Sequence, residues 1–354
     1  MLPWNHGGDW AAYELEYGGA PLDFSANVSP LGLPEGVREA VRASLDRADR
    51  YPDPFCRELC RRLGEYHRLP PQWVLCGNGA ADLIDRLALA LRPRRALVTA
   101  PTFSEYQRAL ELAGCRVERF PLEEGEGFRM TERVLERIGP GLDLLVLCEP
   151  NNPTGLTTPR PLLGEILRAC ARAGTVLAVD ECFAPFLKDQ EDHSLVGELA
   201  GHPDLVVLRA FTKEYAMAGL RLGYALCSDT ALLEKMGQSG PPWAVSTPAQ
   251  AAGVAALEAE DYRRALRVLV AEERPRLQRG LETLGCRVVP GQANYLLFFH
   301  PDPDLCPKLR ARGVLLRDCG DYAGLGRGWY RAAVRTGREN GIFLHILGEV
   351  LSGG

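Results

Sequence analysis

Short apolar runs recur along the first two thirds of the chain, each followed by a stretch whose apolar positions return at helical spacing. Residues 96–100, 144–147, 176–179 and 205–208 are apolar without alternation, the pattern of strands buried on both faces. Residues 79–91, 104–113, 162–173 and 192–199 instead repeat apolar side chains every three or four positions, as amphipathic helices do. Strands alternating with helices predict an α/β fold, with a mostly parallel central sheet covered on both faces. Such sheets carry their sites at the carboxyl ends of the strands. From about residue 255 the pattern changes. A long charged helix is expected over 255–284, strands at 288–289 and 295–299, and a helix near 305–312. Further strands follow at 314–317 and 330–335, and a closing helix starts near 339. This reads as a smaller α+β domain. The expected division is an N-terminal arm over 1–35, rich in Gly and Pro, a large domain over 36–250 and a small domain over 251–354.

Composition narrows the field. With 46% hydrophobic and 25% charged residues, the chain has the make-up of a globular protein and not of a disordered or fibrous one. Its net charge of −5 sets up no overall basic field, so neither a nucleic acid nor an anionic membrane is expected as partner. Apolar stretches such as 142–148 fall far short of the roughly 20 residues that span a bilayer. The opening residues lack a basic start and apolar run, so no signal peptide is read and a cytoplasmic location is expected. The 11 cysteines are scattered, and only Cys56 and Cys60 lie close together. No second pair completes a zinc site, so reduced core thiols and no metal are expected. Only four of the 41 basic residues are lysines: Lys188, Lys213, Lys235 and Lys308. A lysine in a small, apolar segment therefore stands out.

The segments after the apolar runs carry the chemistry. Residues 76–82, Cys-Gly-Asn-Gly-Ala-Ala-Asp, follow a strand and open a helix. Small residues there let amides approach a phosphate at a helix N-terminus, although a plain βα turn uses the same glycines. Phe103 ends the next strand, placed to stack on a planar ring or simply to fill the core. Glu149-Pro-Asn-Asn-Pro-Thr-Gly155 is a rigid turn presenting a side-chain amide. Asp180 closes an apolar run, where it suits either a protonated ring nitrogen or a helix N-cap. Lys213 follows the strand at 205–208 among apolar neighbours, where an amine has its pKa lowered and can bond an aldehyde; Arg221 is a candidate phosphate clamp. A phosphate cradle, a stacking ring, an amide, a carboxylate and an amine together describe a site for pyridoxal 5′-phosphate (PLP).

With these motifs in this order, the chain resembles the fold-type I PLP-dependent aminotransferase family over essentially its whole length, in the histidinol-phosphate aminotransferase branch. More narrowly it resembles the branch's phospho-amino-acid decarboxylases. That match rests on His6-Gly7-Gly8-Asp9, on 23–32 (DFSANVSPLG), 50–53 (RYPD), 242–245 (PWAV), 290–295 (PGQANY) and 330–335 (YRAAVR). The resemblance implies the PLP-dependent transferase fold. It also implies decarboxylation of L-threonine O-3-phosphate to (R)-1-amino-2-propanol O-2-phosphate and CO2, for cobalamin biosynthesis. Histidinol-phosphate transamination, or decarboxylation of serine phosphate, is the alternative. Lys213 would bond the cofactor aldehyde, Asp180 would pair with the pyridine nitrogen, Asn152 with the phenolic oxygen, and Phe103 would stack on the ring. Gly79, Ala80, Ala81, Thr212 and Arg221 would hold the cofactor phosphate, joined by Tyr51 from the second subunit of a homodimer sharing its active sites. Arg331 would bind the substrate carboxylate, and His6 and Arg317 its phosphate, with Asn27 nearby. Transaminases of the branch usually carry Tyr three residues after the aspartate; Phe183 stands here, as in the decarboxylases. Ala210 replaces a common Ser or Thr, removing one phosphate contact. Regulators built on this fold carry an added DNA-binding domain; with about 20 residues before Asp23 and an acidic charge, none is expected here. Arg335 and Arg338 suit either substrate or surface, and His67, His193, His202, His300 and His345 are expected on the surface or in loops.

Overall fold

The unalternating apolar runs become the middle of a sheet. In a computed structural model, which describes residues 6–353, the strands are β1 (Leu22–Asp23), β2 (Val74–Gly77), β3 (Arg95–Ala100), β4 (Arg116–Pro121), β5 (Leu144–Cys148), β6 (Val176–Asp180), β7 (Leu205–Ala210), β8 (Gly223–Leu226), β9 (Arg287–Val288), β10 (Tyr295–Phe299), β11 (Val314–Leu315), β12 (Arg317–Asp318) and β13 (Trp329–Ala333). Strands β2 to β8 form a seven-stranded sheet in the order β2-β8-β7-β6-β5-β3-β4. Only β8 runs against its neighbours; β3 to β7 pair in parallel. Successive side chains on these strands enter different cores. Leu97, Leu145, Leu177 and Val207 face one, while Ala96, Val146, Ala178 and Val206 face the other. Burial on both faces is why the runs lack alternation. The chain steps from β3 outward to β4, then back across β3 to β5. That reversal opens a crevice at the carboxyl ends of the strands.

A second sheet, β12-β13-β10-β9, is antiparallel throughout. Leu296, Phe298, Tyr330 and Ala332 from it pack against Leu277, Leu281, Phe343 and Leu347 of two covering helices. The closing helix, Gly337–Leu351, starts on a capping box in which Thr336 and Glu339 satisfy each other's backbone amides. β1 pairs in parallel with β11, and the next residue, Phe24, is fully buried and stacked 4.4 Å from Phe343. The N-terminal segment is thus stitched into the C-terminal core.

Some expected elements change shape. Residues 192–199 do not form one helix; a turn at Gln190–His193 and a 3-10 segment at Val196–Gly201 take their place. The cause is the buried Glu181 carboxylate, which accepts from the Leu195 amide at 2.7 Å and the Ser194 hydroxyl at 2.8 Å and so holds the backbone out of helical register. The long helix is two, Thr247–Leu257 and Glu260–Thr283. At the break the Arg263 guanidinium donates to the freed Leu257 carbonyl at 3.0 Å. The run at 314–317 splits between β11 and β12 because its halves pair with different strands. His67, expected on the surface, packs its ring against Tyr224, with Nε2 2.9 Å from the hydroxyl, and burial pushes it down to about 3. Among the described residues no helix is long and apolar enough to cross a membrane, and no cluster of side chains is arranged to hold a metal ion.

Candidate active site

The carboxyl ends of β2, β3, β5, β6 and β7 converge on one cavity of about 430 Å³. β2 hands over to the helix Ala80–Leu91 through Gly79, whose φ of 86° lies in the left-handed region open to glycine. No side chain caps this helix, so the amides of Ala80 and Ala81 face the cavity with the positive end of the helix behind them. Arg221 lies against the same turn: a Cβ at position 79 would sit 2.6 Å from its Nη2. Glycine is what lets guanidinium and amides meet, and together they make an anion seat. Thr212, buried, adds a hydroxyl to the lining, and Ala210 adds none.

Asp180 sits at the end of β6, 5% exposed. Its Oδ2 accepts from the Tyr106 hydroxyl at 2.6 Å and its Oδ1 from the Cys182 amide at 2.9 Å. The two donors hold the carboxylate in a fixed orientation. Burial, and then the charge of Asp180, push the Tyr106 hydroxyl well above its usual range, so it stays a donor. Sequence reading missed Tyr106. Its one signal is the spacing to Phe103, which puts the two rings edge to face at 5.6 Å on one side of a helix start.

Asn152, after β5, accepts on Oδ1 from Nη1 of Arg331, which also donates from Nη2 to the Ser25 carbonyl at 3.0 Å. With its oxygen so used, Asn152, which lines the cavity, keeps its amide nitrogen as a donor. Phe183 lies edge-on to Tyr295 at 4.9 Å and presents no polar atom.

Lys213 follows β7 in the helical turn Phe211–Glu214. Burial, chiefly, and the nearby positive charge of Arg331 push its amine down to about 8.

The far wall is built from both ends of the chain. A Cβ on Gly7 would lie 2.3 Å from the Ser25 carbonyl oxygen, and the Gly8 amide donates to the Ser25 hydroxyl at 2.8 Å. The glycines thus let the first described residues lie across Ser25, which carries His6 to the cavity with its ring 6.1 Å from that of Phe103. His6 Nε2 is 3.2 Å from Glu105. Asn27 is 2% exposed and lines the same wall. Arg317 and Arg331 stand directly opposite each other on β12 and β13, and both reach the cavity.

Two expected residues lie elsewhere. Tyr51 is 80% exposed and stacks on Trp243 at 4.5 Å, outside this cavity's lining. Arg335 is spent on Glu339, at 2.6 Å.

These residues fit PLP. The one lining combines an anion seat, a hydrogen-bonded carboxylate, a side-chain amide and a buried amine of lowered pKa. Two polar atoms of the lining, Oδ1 of Asn27 and Nε of Arg331, are buried with no partner among the described residues and await one from a ligand.

Comparison with known proteins agrees. The family profile described as aminotransferase class I and II matches residues 20–346. A threonine-phosphate decarboxylase of Salmonella typhimurium is 40% identical, over 98% of this chain and 97% of that protein. A histidinol-phosphate aminotransferase of Desulfitobacterium hafniense is 34% identical, over 96% of this chain and 94% of that protein. Among solved structures, the histidinol-phosphate aminotransferase of Clostridium acetobutylicum superposes with a TM-score of 0.87 at 26% identity, over 94% of this chain and 99% of that one.

Proposed function

The chain belongs to the class I and II aminotransferase family, and from that membership we propose that it is a PLP-dependent enzyme that decarboxylates L-threonine O-3-phosphate. The products are (R)-1-amino-2-propanol O-2-phosphate, an intermediate for cobalamin, and carbon dioxide. One observation carries the choice of substrate. Arg317 and Arg331 stand opposite each other across two strands, and Arg221 and Lys213 share their cavity, where Asp180 is the sole lining carboxylate among the described residues. Asp321, outside the cavity lining, already pairs with Arg317 at 2.9 Å, yet two guanidiniums set directly opposite each other still favour anionic ligands. Arg221 and the amides of Ala80 and Ala81 answer the cofactor phosphate, which leaves two guanidiniums for two anionic groups of one substrate. A phosphorylated amino acid has both.

When bound, PLP supplies the electron sink for a bond broken at the substrate's Cα. Thr212 would join the phosphate seat, Asp180 would keep the pyridine nitrogen protonated, Phe103 would stack on the ring, and Asn152 would donate to the phenolic oxygen. Arg331 takes the substrate carboxylate, while Arg317 and His6, with Asn27 beside them, take its phosphate. Gripping both ends fixes the rotation about Cα, which decides whether the carboxylate or the proton leaves. The amine of Lys213, near 8, can hold a proton near neutrality and give it to Cα after carbon dioxide departs. Two features favour decarboxylation over transamination: Phe183, and the His6-Gly7-Gly8 segment laid over Ser25.

The reading includes a homodimer in the cytoplasm. Phe55 and Trp243 are exposed aromatics lining a groove of about 900 Å³ between residues 54–60 and 240–245, and the exposed Tyr51 stacks on Trp243. Such a surface suits a second copy whose cavity Tyr51 completes. The cysteines, all free thiols, suit a reducing compartment.

Incubating the holoenzyme with L-threonine O-3-phosphate tests the function. Carbon dioxide and aminopropanol phosphate are expected without any amino acceptor. A keto acid formed only with 2-oxoglutarate, and no carbon dioxide, would make it a transaminase.

A further inference from the structure

Arg317 already has a carboxylate in hand. Its Nη2 donates to both oxygens of Asp321 at 2.9 Å, and its guanidinium lies over the Tyr322 ring, 5.2 Å from the centroid. Asp321 does not line the active-site cavity. It borders a neighbouring cavity of about 460 Å³, where Arg119 also stands. Phe103 and Tyr322 line both cavities and form the wall between them. Asp321 sits in the segment between β12 and β13, which carries glycines at 320, 324, 326 and 328. The Asp321 side chain is 37% exposed against 11% for Arg317, and an ion pair open to water on one side is weak and readily exchanged.

We propose that Asp321 sets substrate specificity: it occupies Arg317 as an internal anion until a phosphate displaces it, and then turns toward Arg119. The inference rests on the reading of Arg317 as the phosphate ligand. A resident carboxylate competes evenly with a monoanion and poorly with a dianion, so Arg317 is surrendered to a phosphate and withheld from a carboxylate of similar reach. The site thereby rejects acidic amino acids by competition, without a steric barrier. Arg119, whose guanidinium donates to Gln107 at 2.8 Å, offers the displaced acid a cation in the adjoining cavity.

Kinetics of holoenzyme variants decide the matter. Asp321→Asn keeps the shape and removes the charge. It is expected to lower KM for L-threonine O-3-phosphate about three- to five-fold, the scale of one half-exposed ion pair. No rise in kcat is expected. Inhibition by inorganic phosphate and by L-glutamate should tighten, glutamate the more. Arg317→Ala is the companion variant and is expected to raise KM. If Arg317→Ala raises KM while Asp321→Asn leaves it unchanged or raises it too, Asp321 only orients the arginine and the inference fails. If Arg317→Ala leaves KM unchanged, the assignment of Arg317 itself is wrong.

Discussion

Tyr106 and Asp180 meet at 2.6 Å inside the protein, a contact that the spacing of Tyr106 to Phe103 hints at but does not reveal. The hydroxyl is one of two donors to a buried carboxylate, and a hydrogen bond to a charged group is worth about 1.5–3 kcal/mol. Tyr106→Phe is therefore expected to weaken cofactor retention by roughly ten- to a hundred-fold, measured as the PLP concentration that half-restores activity to apoprotein. Unaltered retention would mean that the Cys182 amide suffices. Lys213 gives a second residue-scale test. Its amine is lowered from 10.5 to about 8, so the folded apoprotein binds fewer protons than the unfolded chain between those values. Stability contributed by this group therefore rises with pH across that window, and below about 8 its buried charge is a cost. Apoprotein carrying Lys213→Met should resist urea better than wild type at pH 7, and the gap should close toward pH 10. An equal gap at both values would contradict the lowered pKa.

At the scale of elements, the strands β3, β5, β6 and β7 were legible because burial on both faces leaves an unbroken apolar signature. The loops after them were legible because Asp180, Lys213 and Asn152 are costly residues to place at the mouths of buried strands. What stayed hidden depends on partners far off in sequence. The helix expected at 192–199 yields to Glu181, and the break after Leu257 is held by Arg263. Gly7 looked like part of a motif and proves to be a steric necessity under the Ser25 carbonyl. Gly7→Ala is accordingly expected to lift the N-terminal segment, raising KM for the phosphorylated substrate while cofactor absorbance stays normal. Loss of the cofactor as well would show that the segment also supports its site. The pairing of β1 with β11 makes a related point about stability. Phe24, fully buried against Phe343, is expected to cost about 3–5 kcal/mol when cut to Ala, measured by urea unfolding.

For the whole molecule, the sheet order creates one crevice, and residues from both ends of the chain close it. His6 and Ser25 come from the beginning, Arg317 and Arg331 from β12 and β13. Tyr51 is 80% exposed and outside the cavity lining, so the proposed homodimer would bring it to the site of a second copy. Mixing subunits tests this. Tyr51→Ala and Lys213→Ala variants, each nearly inactive alone, are expected to regain about a quarter of wild-type activity when refolded together in equal amounts, since half the dimers then hold one intact site. No recovery would confine each active site to one subunit. The account turns on the cavity being a covalent cofactor site, and the most direct measurement is borohydride reduction of the holoenzyme followed by peptide mapping. The label is expected on Lys213 and on none of Lys188, Lys235 or Lys308. A reduced cofactor found on another lysine, or on none, would contradict the account.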